Sequence, residues 1–92
     1  MIVEYTRYRI TGDRGAAFLE AYKEAARYLR ESPHCTSFEL TQCVEEKDRF
    51  ILRIEWKSTE EHLQGFRKSS GFKEFYRLVQ PFFSDIEVEF IA

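Results

Sequence analysis

RFILRIEWKSTEEHLQGF, residues 49–66, changes its periodicity partway along. Up to Trp56 the apolar side chains fall on every second position, Phe50, Leu52, Ile54 and Trp56, while Ile51, Arg53 and Glu55 share the opposite phase. A period of two is the pattern of a strand with one face buried. Ser58 and Glu61 then form a capping box, in which side chain and backbone satisfy each other's hydrogen bonds, so a helix begins almost where the strand ends.

Outward from this junction the remaining elements follow. Thr36 to Val44 alternates as well, and EEKD, residues 45–48, is a polar turn of hairpin length that joins it to the strand Arg49–Lys57. Upstream, IVEYTRYRI at residues 2–10 is rich in β-branched and aromatic types and stops at Thr11-Gly12. Asp13 offers a helix N-cap, and Phe18, Tyr22, Ala25 and Leu29 recur at helical spacing, which predicts a helix over residues 14–31 ended by Ser32-Pro33. Downstream, Gly65 and the SSG at 69–71 weaken the second helix. Its last part carries Phe72, Phe75, Tyr76 and Val79 on one face until Pro81 stops it. Ile86, Val88 and Phe90 alternate with Glu87 and Glu89 in a closing strand.

The order β-α-β-β-α-β within 92 residues predicts a single α+β domain over 1–92, a ferredoxin-like sandwich with a four-stranded antiparallel sheet and both helices on one face. The other sheet face holds Arg7, Arg9, Glu39, Thr41, Arg53, Glu55, Glu87 and Glu89 together with Val3, Tyr5, Ile51 and Ile91. It is too apolar for plain solvent and too charged for a helix-covered core. A second sheet meeting it through complementary ion pairs accounts for both, so we expect a homodimer packed sheet to sheet.

Composition narrows the function classes. A net charge of −2 with both signs interspersed provides no basic stripe for phosphates, so nucleic acid is not an expected partner. No apolar run approaches the roughly 18 residues of a membrane span. MIVEYTRYRI alternates apolar and charged residues and does not read as a signal peptide. Cys35 and Cys43 form neither a disulfide framework nor a zinc pattern, so the expectation is a cytoplasmic chain with free thiols and no metal. Phe, Tyr and Trp make up 16% of the residues, enough for an apolar cavity or buried interface besides a packed core.

Particular residues carry two readings each. Trp56 either plugs the core between sheet and second helix or lines a pocket mouth with its indole N–H paired. His62 sits beside the apolar stripe, as a general base or as a boundary histidine bonded to a carbonyl or water. Thr6, Tyr8 and Gln42 are polar groups on the helix-facing phase that need partners, from each other or from a ligand. His34 and Cys35 are neighbours in extended chain, so their side chains diverge and make a poor nucleophile pair. Arg67 and Arg77 are placed to reach an anionic ligand oxygen.

The stretch RIEWKSTEEHLQGFRKSSGFKEFY, preceded by SFELTQCVEEKDRFIL, resembles the antibiotic biosynthesis monooxygenase domains, which form dimeric α/β barrels. The resemblance implies a pocket between helices and sheet, lined by Trp56, Phe66, Phe72 and Tyr76. It also implies oxygenation of a small aromatic substrate, such as a quinol or polyketide, by dioxygen without metal or organic cofactor. Haem-degrading members resemble the chain too, but carry an asparagine and a histidine where Thr6 and Tyr76 stand, so haem is not expected. On this reading His62 is the catalytic base, Tyr8 or Tyr76 the hydrogen-bond donor, and Trp56, Phe66 and Phe72 the stacking surface. The competing classes are a regulatory module that holds a small molecule without transforming it, and an assembly domain whose pocket is filled by its own side chains.

Overall fold

The computed structural model describes residues 1–92, the side chain of Leu63 excepted. Four strands, β1 (Ile2–Arg9), β2 (Cys35–Gln42), β3 (Arg49–Trp56) and β4 (Asp85–Ile91), form one antiparallel sheet in the order β2-β3-β1-β4. Two α-helices, α1 (Gly15–Arg30) and α2 (Ser70–Val79), pack on one face of it, which is the ferredoxin-like arrangement. The alternation read from the sequence sets the register. Tyr8 pairs with Phe50, Thr6 with Leu52, Glu4 with Ile54 and Ile2 with Trp56, so the even-numbered side chains of β1 and β3 share the helix side. Phe18, Ala25 and Leu29 of α1 and Phe75 and Val79 of α2 close over them.

Two boundaries and one side-chain environment differ from the sequence reading. Asp13 is not a cap: Gly12 takes a positive φ of 68° in the turn after β1, and α1 starts at Gly15 with Arg14 in the N-cap position and no side-chain cap bond. Gln42 keeps the helix-facing phase of Phe38 and Leu40, opposite Phe50, but lies exposed at the strand end, where its Nε2 donates to the Lys47 carbonyl (2.7 Å) and braces the hairpin turn. The second helix is interrupted. Ser58 does accept from the Glu61 N–H through Oγ (3.0 Å), but what it starts is one π-helical turn, Glu61–Gly65, followed by a 3₁₀ turn, Phe66–Lys68. Ser69 is then extended, and its Oγ accepts from the Phe72 N–H (3.2 Å) as the N-cap of α2.

The π turn is fixed from outside. The His34 imidazole, just before β2, pairs through Nδ1 with Glu61, and its ring lies so close to Gly65 that a Cβ there would fall 2.6 Å from it. Only glycine permits this approach, and the wider π turn is what places His62, one residue after Glu61, over the sheet. On the opposite sheet face Arg53 pairs with Glu55 (2.7 Å) and Arg7 with Glu89 (3.3 Å), while Val3, Tyr5 and Ile51 are half-buried beside them.

Candidate active site

β1 brings three polar side chains to the helix side: Glu4, Thr6 and Tyr8, each less than a tenth exposed. Burying a carboxylate is costly unless both oxygens are satisfied. Trp56 Nε1 donates to Glu4 Oε1 (2.9 Å) and Thr6 Oγ1 donates to Glu4 Oε2 (2.5 Å), so both oxygens are. The strand-end tryptophan is wholly buried, and its indole N–H has found its partner across the sheet on β1.

His62 comes down onto this group from the π turn. Its ring lies between Trp56 (centroids 4.7 Å apart) and Phe90 of β4 (5.0 Å) and is 5% exposed. Nδ1 faces Glu4 Oε1 at 3.6 Å, too long for a hydrogen bond, and has no other partner. Burial, the largest influence, pushes the imidazole pKa below its usual value; Glu4 opposes this and Arg67 adds to it. The neutral ring that results is able to accept a proton.

Above these groups lies a cavity of about 260 Å³. Its aromatic wall runs from Trp56 to Phe66 (5.1 Å), Phe72 (5.8 Å) and Tyr76 (6.0 Å), and Tyr76 meets Phe83 (6.2 Å). Tyr8 lies on the floor against Phe18 and Phe83, and burial with the nearby Glu4 raises its phenol far above the ordinary range, so it stays an O–H donor. Ile86, Val88 and Phe90 of β4 form the open side, at 37%, 50% and 41% exposure.

The structure thus gathers seven of the residues singled out from the sequence, Thr6, Tyr8, Trp56, His62, Phe66, Phe72 and Tyr76, around one space. It also separates residues that the sequence reading considers together. His34 turns to Glu61, whereas Cys35 Sγ contacts the Ser37 carbonyl (3.5 Å). Arg67 lines the cavity, but Arg77 is engaged with Glu74 (2.8 Å). The residue the sequence reading passed over is Glu4. Strand parity carries its signal, since an acidic residue in phase with Ile2, Thr6, Tyr8 and Ile10 must face the helices. Among the described residues no three His, Cys, Asp or Glu side chains come together as a metal site.

Residues 1–78 match the antibiotic biosynthesis monooxygenase family. The uncharacterised protein YczJ of Bacillus subtilis strain 168 is 31% identical over 67 residues, covering 73% of this chain and 70% of that one. A candidate antibiotic biosynthesis monooxygenase from Bordetella bronchiseptica superposes with a TM-score of 0.91 at 24% identity, over 99% of this chain and 94% of the other. A mutant form of SnoaB, a cofactor-independent oxygenase from Streptomyces nogalater, superposes with a TM-score of 0.84 at 12% identity, over 99% and 90%. At such identities the solved structures speak for the fold alone. The sequence matches go further, and on them this chain belongs to the antibiotic biosynthesis monooxygenase family.

Proposed function

We propose that the protein is a monooxygenase that acts on a small aromatic quinol or phenol with dioxygen and no metal or organic cofactor. One observation carries the reading: at the floor of an aromatic cavity, a carboxylate held by Trp56 and Thr6 faces the unpartnered Nδ1 of a buried, neutral histidine. Catalytic hydrogen bonds are often long in an empty site and tighten when substrate arrives. Glu4 is the positioning residue that orients the imidazole, and His62 is the base.

His62 takes the hydroxyl proton of a hydroquinone, and the Tyr8 O–H donates to the resulting phenolate oxygen. The anion passes one electron to dioxygen, and the two radicals join in a C–O bond at a ring carbon that bears hydrogen. The peroxide takes a proton, the ring carbon loses its hydrogen, and the O–O bond breaks. A ring C–H has become C=O, the second oxygen atom leaves as water, and the substrate has supplied every electron. The apolar wall keeps bulk water from the carbanion and peroxide.

Oxygen uptake after anaerobic mixing with a panel of quinols tests the reading. We expect turnover above the autoxidation blank, lost in His62→Ala. No turnover across the panel would remove the oxygenase reading and leave a small-molecule-binding module. Turnover unchanged in His62→Ala would remove His62 as base.

We further propose that two copies pack through the outer sheet faces into a dimeric α/β barrel. The mix of half-buried Val3, Tyr5 and Ile51 with Arg7, Arg53, Glu87 and Glu89 suits such a contact, and Ile91 at 47% exposure extends it. Light scattering at micromolar concentration gives twice 11.0 kDa if this holds, and 11.0 kDa if it does not. Two free thiols suit a cytoplasmic setting, and among the described residues no helix is long and apolar enough to cross a membrane.

A further inference from the structure

The cavity is electrically polarised along its depth. Its floor holds Glu4 and its rim holds Arg67, the one Lys or Arg among the described residues that line it. Arg67 is exposed and forms no ion pair among the described residues, unlike Arg77, which is committed to Glu74. Its guanidinium is nonetheless placed, lying 5.4 Å from the centroid of the Phe72 ring that forms part of the wall. The space between floor and rim is limited. A volume of about 260 Å³ is under twice the ~150 Å³ that holds one benzene, so two fused rings fill it and a third in line would extend past the open side at β4.

Resting on the reading of the cavity as a substrate site, we infer that it selects a one- or two-ring hydroxylated aromatic bearing a carboxylate, and that Arg67 is the residue that selects it. The anionic group cannot lie at the floor, where the Glu4 carboxylate would repel it. At the rim a guanidinium offers forked donors that match a carboxylate, and the ring hydroxyl is then directed down toward His62. Arg67 therefore sets orientation as well as affinity. A neutral quinol of the same size would enter with no preferred end.

Binding is separable from turnover with probes that carry one hydroxyl and do not autoxidise: a hydroxynaphthoate, its neutral methyl ester, and a hydroxyanthracene carboxylate, each titrated calorimetrically. With the wild type we expect the naphthoate to bind roughly tenfold tighter than its ester, the scale of one charge-assisted contact at a partly exposed rim. Arg67→Gln should bind the two alike, and Arg67→Lys should restore part of the preference. The three-ring probe should bind at least tenfold more weakly than the naphthoate. An ester bound as well as the acid, a preference that survives in Arg67→Gln, or no binding by either probe would overturn the assignment to Arg67. A three-ring probe bound as tightly would overturn the size limit. Arg67-dependent binding without oxygen uptake from any quinol would sink the oxygenase reading and leave this one standing; uptake with acid and ester alike would do the reverse.

Discussion

Replacing Glu4 by glutamine separates the structural from the chemical work of the buried carboxylate. Trp56 Nε1–H can only donate, so the amide oxygen must take its place 2.9 Å from the indole, which turns the new NH₂ group toward Thr6. The Thr6 hydroxyl can reverse and accept, so both contacts survive as neutral hydrogen bonds. Each loses roughly 1 kcal/mol of charge assistance, and part is returned because no charge is buried; the net change should be about 1 kcal/mol, a Tm shift of some 4–8 °C. The effect on chemistry should be larger. His62 loses the carboxylate that faces Nδ1 at 3.6 Å and that, on the proposed reading, orients the ring once substrate closes this gap, which we expect to lower kcat by about ten- to a hundredfold, within the range carried by general-base catalysis. Its pKa also loses the one influence that raises it, so the acid limb of kcat/KM, already below 6.5, should move to still lower pH. Thermal unfolding by circular dichroism and pH profiles of oxygen uptake measure both. A kcat equal to the wild type's, or an acid limb displaced upward, would refute the assignment of Glu4 as the residue that positions the base.

Three further outcomes follow from the same structure. Gly65→Ala drives a methyl group to 2.6 Å from the His34 ring, and should destabilise by about 1–3 kcal/mol in urea unfolding; His34→Ala in the same chain should recover most of that loss. His62 is held neutral by burial, so the unfolded chain takes up its proton first as pH falls through 6.5. Stability should therefore be complete above that pH and decline below it until the folded-state pKa is passed, and His62→Gln should remove its share of that slope in urea titrations between pH 7.5 and 5.5. Burial lifts the Cys35 thiol to about 11, so peptide mapping after iodoacetamide at pH 8 should show Cys35 alkylated roughly a hundredfold faster in urea than in the folded protein.

Periodicity was enough for the fold because the two central strands, β1 and β3, each have one buried face, and a one-residue slip would have turned Phe50, Leu52, Ile54 and Trp56 to the outside. The interruption after β3 was only half legible. Gly65 and Ser69 marked a weak helix, but the reason for the π turn is the His34 ring, 31 positions away in sequence, pressed against a missing side chain. No local pattern encodes a contact between segments so distant. The site shows the same division. Its apolar members could be read from helical and strand spacing, whereas Glu4 looked like one more surface charge in a chain that has sixteen acidic residues. What distinguishes it is its phase on β1 and the two donors, Trp56 and Thr6, that converge on it. A buried carboxylate with both oxygens occupied holds the indole at the strand end and faces the histidine at once. Packing alone would have been served better by a leucine at that position, since an apolar side chain needs no donors and carries no desolvation cost. The polar cluster is therefore a feature the core does not require, and the proposed deprotonation of a substrate hydroxyl by His62 is a chemistry that would require it.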